Sequence, residues 1–168
     1  MNYAKIYPLS IENGPGIRVS LFVSGCRNKC PGCFNPETWD FNYGQEFTGK
    51  TMMDLLDMLD NPHVRGLSIL GGDPFEPENI KRVTDICKAI KNLKPSKDIW
   101  VWTGYDFIED GLIKYPIMRY IDVLVDGRFE EDKKDLRLRY RGSWNQRVIN
   151  VQESIKTGCA IRLDGDWR

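Results

Sequence analysis

Three cysteines within eight residues constrain this sequence more than any other feature: Cys26, Cys30 and Cys33 form a C-x3-C-x2-C array. The chain has five cysteines, an odd number, whereas disulfide scaffolds of small secreted proteins use an even set. Cysteine binds metal as the thiolate, and we expect the neighbouring Arg27 and Lys29 to lower the pKa of these thiols. The array therefore predicts a metal centre in a protein of a reducing compartment.

The number of cysteines in the array narrows the kind of metal centre. Three thiolates are one fewer than a structural zinc site or an ordinary cubane iron–sulfur cluster uses. On a cubane they would leave one iron open to a substrate or cofactor. The alternative is a zinc-binding module completed by Cys87, Cys159 or His63. Cys87 falls on the apolar stripe of a predicted helix and His63 stands in a polar turn, so we favour the open cubane.

Charge and hydropathy exclude several classes of protein. Lys plus Arg and Asp plus Glu each number 24, and this balance argues against a nucleic-acid partner. The apolar runs are far shorter than the roughly 20 residues that span a bilayer, and the N-terminus does not resemble a signal peptide. We therefore expect a cytoplasmic protein without a membrane partner. A length of 168 residues predicts one domain, 1–168, with 151–168 as a candidate accessory segment.

Predicted strands and helices alternate along the chain. Hydrophobic periodicity predicts strands at 17–23, 66–70, 99–102, 121–125 and 147–151, and helices that begin at Thr51 and Pro77 and span 107–114. Such alternation favours parallel strands joined by crossovers. A closed eight-unit barrel needs roughly 250 residues. We therefore predict an α/β fold, an open partial (βα) barrel of five to six mainly parallel strands, with its site at their C-terminal ends.

The cysteine loop resembles that of the radical S-adenosylmethionine superfamily. Within it, the surrounding motifs resemble the family of activating proteins of the anaerobic ribonucleoside-triphosphate reductase, which are glycyl-radical activating enzymes. These motifs run in order from residue 2 to about 150: NGPGIR at 13–18, PGCFN at 31–35, TW at 38–39, GGDP at 71–74, WVWTGY at 100–105, VLVDG at 123–127, RGS at 141–143 and NQ at 145–146. The resemblance implies an open barrel of the radical S-adenosylmethionine type.

The same resemblance implies a reaction and its participants. A [4Fe–4S] cluster on Cys26, Cys30 and Cys33 would bind the amino and carboxylate groups of S-adenosylmethionine at its open iron. An electron from a reduced flavodoxin-like donor would cleave the cofactor into methionine and a 5′-deoxyadenosyl radical. That radical would take a hydrogen atom from a glycine in the large subunit of the reductase. No acidic or basic side chain is required for this chemistry, and a homodimer is compatible with it.

Two glycines and an aspartate form the next part of the implied site. Gly71 and Gly72 carry no side chain, so the backbone can come close to the methionine part of the cofactor. Asp73 would accept a charge-assisted hydrogen bond from the ammonium group of the cofactor. An ordinary turn is the alternative interpretation of the segment 71–74. The nearby cysteine loop favours a cofactor-binding site.

Four further residues complete the expected binding site. Gly32 and Phe34 flank a cluster ligand and would lie against the adenine. Thr103 and Asp126 each follow a predicted strand, so both should face the rim and hold the ribose or the sulfonium. Two other functions stay open: activation of another glycyl-radical enzyme such as pyruvate formate-lyase, and a non-catalytic iron–sulfur or zinc-binding module.

Overall fold

The computed structural model describes residues 1–163 and 165. The strands are β1 (Asn2–Ser10), β2 (Ile17–Val23), β3 (Gln45–Glu46), β4 (Val64–Gly71), β5 (Asp98–Trp102), β6 (Val123–Asp126) and β7 (Arg147–Asn150). The α-helices are α1 (Gly49–Leu59), α2 (Pro77–Leu93) and α3 (Val151–Thr157). Short 3-10 helices span Pro36–Trp39, Leu112–Lys114, Pro116–Arg119 and Glu131–Lys133.

The strands of the described residues form one sheet in the order β3-β1-β2-β4-β5-β6-β7. Its four central strands, β2, β4, β5 and β6, are parallel, and the outer pairs β3-β1, β1-β2 and β6-β7 are antiparallel. The α/β class is thus confirmed. The expected count of five to six strands is wrong because β1 and β3 add an antiparallel edge. Most of β1 is only partly buried, so its sequence lacks the apolar alternation that predicts a strand.

The main core lies between the sheet and the helices α1 and α2. Alternate residues of β2 and β4, including Val19, Leu21 and Leu67, are fully buried there. The apolar stripe expected on α2 is confirmed, with Cys87 buried among its neighbours. Helix α1 begins earlier than Thr51, because Thr48 caps it and the side chain of Thr51 accepts a hydrogen bond from the Thr48 backbone in return.

The opposite face of the sheet carries a buried arginine. The Nε atom of Arg18 donates to Ser68 Oγ at 2.7 Å, and a terminal nitrogen lies 2.6 Å from a carboxylate oxygen of Asp98. The guanidinium also lies over the ring of Trp100, 5.6 Å from its centroid. A Cβ at Gly14 would lie 2.9 Å from the Arg18 side chain, so the NGPGIR motif packs around this residue. Its role here is structural.

Several sequence-based boundaries change in the structure. The helix expected at 107–114 reduces to Leu112–Lys114, because the side chain of Asp106 caps the preceding turn and Gly111 adopts a left-handed conformation. Residues 151–168 begin with α3, after which Arg162 returns to pair with β7. Residues 164 and 166–168 lie outside the described residues. No helix in the described part of the chain is long and apolar enough to cross a membrane.

Candidate functional site

The C-terminal ends of the parallel strands surround a cavity of about 710 Å³. The structure brings most of the predicted site residues to this cavity: Cys26, Cys30, Cys33, Phe34, Gly71, Gly72, Asp73 and Thr103 line it. Gly32 and Asp126 do not line it. The cavity therefore joins the cysteine loop after β2 to the loops that follow β4 and β5.

The cysteine loop leaves β2 through a tight backbone contact. Gly25 has a φ of +98°, and a Cβ at this position would lie 2.2 Å from the ring of Phe41. The amides of Gly25 and Cys26 donate to carbonyl oxygens of the 3-10 helix that follows the loop. All five cysteines lie in the described residues, and their thiols are free. The three of the array are partly exposed.

Arg27 attaches this loop to the start of α2. Its backbone amide and its guanidinium each donate to the buried carboxylate of Glu76 at 2.6 Å, and the guanidinium also pairs with Glu78. The positive charge is thus paired with two carboxylates. Burial, with a further contribution from Asp73, raises the pKa of Cys26 to about 11, and burial also raises the pKa of Cys30. For Cys26 and Cys30, the expectation that the basic neighbours lower the pKa is therefore wrong.

The buried carboxylate of Asp73 joins three loops. Its Oδ1 atom accepts hydrogen bonds from the Phe75 amide at 2.9 Å and the Thr103 hydroxyl at 2.8 Å. Its Oδ2 atom accepts from the Gly104 amide at 2.8 Å and from Asn28 Nδ2 at 3.1 Å. Burial raises the pKa of Asp73 to about 6, although these hydrogen bonds favour the ionised form. The side chain is thus a junction between the loops after β2, β4 and β5.

Gly71 and Gly72 allow two loops to touch. Gly71 has a φ of +102°, and a Cβ there would lie 2.8 Å from the carbonyl oxygen of Val23. A Cβ at Gly72 would lie 2.6 Å from the carbonyl oxygen of Gly25. The amide of Asp73 donates to that same oxygen at 2.8 Å. These two glycines are therefore required for the contact between the cysteine loop and the end of β4.

Gly32 and Phe34 flank Cys33 and have different surroundings. Gly32 has a φ of +69°, and a Cβ there would lie 2.7 Å from the carboxylate of Glu131. The ring of Phe34 is 60% exposed and meets Phe129 edge to face, with 5.5 Å between the ring centroids. Lys134 places its ammonium 5.0 Å from the centroid of the Phe34 ring. Phe34 thus borders the mouth of the cavity, whereas Gly32 shapes the loop behind it.

Sequence comparisons agree with this geometry. The sequence profile of the 4Fe-4S single cluster domain matches residues 12–149. The chain is 43% identical over 155 residues to an anaerobic ribonucleoside-triphosphate reductase-activating protein of Enterobacteria phage T4, and the match covers 92% of this chain and 97% of the relative. Activating proteins of Escherichia coli K12 and Salmonella typhi are 45% and 47% identical, and each match covers 90% of this chain and 100% of the relative. The chain belongs to this family of activating proteins.

The residues of this family member fit an iron–sulfur cluster. Three free thiols border one cavity, and the amide of Asn35 donates to Cys33 Sγ at 3.4 Å, as amides donate to cluster sulfurs. In the described residues no group of three or more His, Cys, Asp or Glu side chains is arranged to hold a metal ion. Cubane ligands bind different irons and need not converge on one point. Cys26, Cys30 and Cys33 are therefore the residues that could hold the cluster.

Asp126 has a different environment in this activating protein. Its carboxylate is fully buried, accepts the Phe107 amide at 2.8 Å and accepts Nε of Arg147 at 2.9 Å. A terminal nitrogen of Arg147 also contacts Asp126 and lies 2.6 Å from Asp106. The charge of Asp126 is thus balanced within the protein. The structure places it at the end of β6, outside the lining of the cavity.

Sequence reasoning gave no role to three residues that line the cavity: Ser10 of β1, Asn28 of the cysteine loop and Trp102 of β5. Ser10 and Ser20 share a hydrogen bond of 2.8 Å, and Asn13 donates to Ser20 Oγ at 3.2 Å. Asn28 and Trp102 also line the cavity. No apolar alternation marks β1, so hydrophobic periodicity could not find its residues. The NGPGIR motif did point to Asn13, without a role.

Proposed function

We propose that this chain generates the glycyl radical of the anaerobic ribonucleoside-triphosphate reductase by reductive cleavage of S-adenosylmethionine. The names of the relatives identify the reductase as the target of those proteins. The observation that carries the proposal for this chain is the shared cavity, which brings three free thiols next to Gly71–Asp73. The parallel strands around it support an open barrel of the radical S-adenosylmethionine type.

The proposal gives each part of the cavity a separate task. Cys26, Cys30 and Cys33 would hold the cluster, and one iron would stay open for the amino and carboxylate groups of S-adenosylmethionine. When bound, the cluster would pass one electron from the external donor to the sulfonium, and cleavage of the C5′–S bond would give methionine and the 5′-deoxyadenosyl radical that takes hydrogen from glycine. Gly71–Asp73 border the methionine end, where the charge of Asp73 attracts the ammonium group of the cofactor. Phe34 faces the adenine end.

In this proposal three residues stabilise the site without contacting the cofactor: Thr103, Gly32 and Asp126. The hydroxyl of Thr103 is engaged with Asp73, so it orients that carboxylate. Gly32 maintains the loop beside Glu131, and Asp126 pairs with Arg147. No side chain transfers a proton in the reaction, because hydrogen-atom abstraction needs none. The protein acts by fixing positions and by excluding water.

The mouth of the cavity suits a polypeptide substrate. Leu9, Phe34 and Leu136 line the cavity and are 59%, 60% and 83% exposed. Three large exposed apolar side chains around one opening are typical of a surface that binds another protein. We propose that a glycine-bearing segment of the large reductase subunit enters across this rim.

The remaining parts of the proposal concern partners and compartment. A reduced flavodoxin-like protein serves as electron donor, and the chain works as one domain, 1–168, with 151–168 as an accessory segment. It functions in the cytoplasm, where thiols stay reduced, in keeping with five free cysteines. A homodimer is compatible with this function. The proposal involves neither nucleic acid nor membrane.

The experiment that tests this function is anaerobic incubation of the reconstituted protein with S-adenosylmethionine, dithionite and the large reductase subunit. We expect a glycyl radical signal in electron paramagnetic resonance that depends on every component. Substitution of pyruvate formate-lyase for the reductase should give no signal. A signal with pyruvate formate-lyase and none with the reductase would make the chain an activator of that lyase. Bound zinc in metal analysis, with no cleavage of S-adenosylmethionine, would indicate a non-catalytic zinc-binding module.

A further inference from the structure

We propose that Asn28 is a positioning residue that locks the cysteine loop against the loops after β4 and β5. This inference rests on the proposed function and extends it to a residue outside the cysteine array. Asn28 lies between Cys26 and Cys30 and lines the cavity. Its side chain would fix the distance between the cluster ligands and Gly71–Asp73, and with it the fit of S-adenosylmethionine.

The first observation is the hydrogen bond that Asn28 makes. Its Nδ2 atom donates to Asp73 Oδ2 at 3.1 Å across the cavity wall. An ionised carboxylate only accepts hydrogen bonds, so the amide must present its nitrogen. Arg27 attaches the same loop to Glu76, but its guanidinium is half exposed and lies outside the cavity. Asn28 is thus the loop residue that ties the cavity side of the cysteine loop to Asp73.

The second observation is the space that Gly104, in the loop after β5, leaves for the side-chain amide of Asn28. A Cβ at Gly104 would lie 2.4 Å from Asn28 Nδ2 and 3.0 Å from Asn28 Cγ. Gly104 has no left-handed φ, so its backbone would accept alanine without strain. Its lack of a side chain therefore makes room for Asn28. The amide of Gly104 also donates to Asp73 Oδ2, so both residues meet at one oxygen atom.

The third observation is that Asp73 has no free acceptor position in this arrangement. A carboxylate offers about four lone-pair sites, and Phe75, Thr103, Gly104 and Asn28 supply four donors. Asp73 therefore attracts the ammonium group of the cofactor by charge and acts as the anchor of three loops. Removal of Asn28 takes away the side-chain link between the Asp73 carboxylate and the cysteine loop, which then keeps its backbone contact at Gly25 and the pairing of Arg27 with Glu76.

The test is a double-variant cycle with Asn28→Ala, Gly104→Ala and both together. In the reconstituted protein we expect Asn28→Ala to raise the Kd for S-adenosylmethionine about tenfold, the usual effect of losing a hydrogen bond to a charged group. Iron and sulfide content should not change. Gly104→Ala should weaken binding to a similar degree, because its Cβ displaces the amide. The double variant should be no worse than Asn28→Ala.

Further variants separate positioning from a general loss of stability. Asn28→Asp should bind S-adenosylmethionine more weakly than Asn28→Ala, because it faces Asp73 with a second carboxylate. The shift that S-adenosylmethionine causes in the resonance of the reduced cluster should be reduced in both. Asn42→Ala is the matched control, because Asn42 is exposed and does not line the cavity. It should behave as the wild-type protein does.

The outcomes distinguish this inference from the proposed function. If the wild-type protein binds and cleaves S-adenosylmethionine but Asn28→Ala has the same affinity, the role of Asn28 is refuted and the function stands. Additive losses in the double variant would likewise refute the contact between Asn28 and Gly104. If the wild-type protein does not bind S-adenosylmethionine at all, the function and the inference both fail.

Discussion

The hydroxyl of Thr103 donates a hydrogen bond of 2.8 Å to the buried carboxylate of Asp73, across the gap between the loops that follow β5 and β4. Sequence analysis assigned both residues to the cofactor. The structure joins the two residues directly, and the Thr103 hydroxyl helps to hold the carboxylate of Asp73 in place. Burial favours the protonated form of Asp73, and the donors around it favour the ionised form. This competition leads to a prediction about pH.

Asp73 should make the stability of the cluster-free protein depend on pH. Its pKa is raised from about 3.8 to about 6, so the folded state holds a proton that the unfolded state has released. The free energy of unfolding should therefore fall as the pH rises from about 4 to about 6, by about 3 kcal/mol from this group. Urea denaturation of Asp73→Asn at several pH values should show a flatter profile. Equal profiles for the two proteins would contradict the assignment.

Thr103→Val should shift to higher pH the range over which the free energy of unfolding falls. The substitution keeps the shape of the side chain but removes a donor to the ionised carboxylate, so the pKa of Asp73 should rise further. Urea denaturation should then show stability falling over a higher pH range. Thr103→Ser retains the hydroxyl and serves as the control. An unchanged range in Thr103→Val would show that the hydrogen bond has no influence on Asp73.

Each cysteine of the array should be essential. Cys26→Ala, Cys30→Ala and Cys33→Ala should each abolish formation of the glycyl radical, because two thiolates do not retain the cubane. Cys159→Ala, at an exposed position, and Cys87→Ala, in the core, should stay active. Electron paramagnetic resonance of dithionite-reduced protein measures the cluster directly. An intact and competent cluster in Cys30→Ala would disprove the ligand assignment.

Asp126 and Arg147 should matter for folding. Arg147→Met leaves the fully buried carboxylate of Asp126 without its partner, which should lower the free energy of unfolding by about 3 kcal/mol. The folded variant should bind S-adenosylmethionine as the wild-type protein does. Chemical denaturation and calorimetry measure the two effects separately. A large loss of affinity without a loss of stability would place Asp126 back among the cofactor contacts.

Leu136 should affect only the protein substrate. The substitution Leu136→Asp puts a charge on the most exposed apolar side chain of the cavity mouth. We expect the KM for the reductase to rise about tenfold, as for loss of an apolar anchor at an interface. Cleavage of S-adenosylmethionine without the reductase should not change. Met53→Asp, at an exposed position outside the cavity lining, is the matched control.

Much of the fold and the site could be predicted because the central strands follow simple rules. The strands β2, β4 and β5 are buried and apolar, and loops that follow parallel strands meet at one edge. This places Cys26, Asp73 and Thr103 together. The cysteine spacing independently predicts Cys26, Cys30 and Cys33 as metal ligands.

The rest could not be predicted because it depends on contacts between distant residues. β1 is held by backbone hydrogen bonds to β2, which leave no hydrophobic pattern in the sequence. Gly71 and Gly72 were interpreted as room for a ligand, and the structure shows that they approach the carbonyls of Val23 and Gly25. Asp126 was expected to follow a strand and is instead the last residue of β6, where it pairs with Arg147, 21 residues further along the chain. Only the folded chain shows these pairings.

The central claim is that three cysteines leave one iron open for S-adenosylmethionine. Electron–nuclear double resonance of the dithionite-reduced protein with cofactor labelled with nitrogen-15 at its amino group tests this most directly. The account predicts a coupling between the cluster and the labelled nitrogen in the wild-type protein and in Cys159→Ala. Absence of that coupling, together with a fourth ligand from the protein, would contradict it.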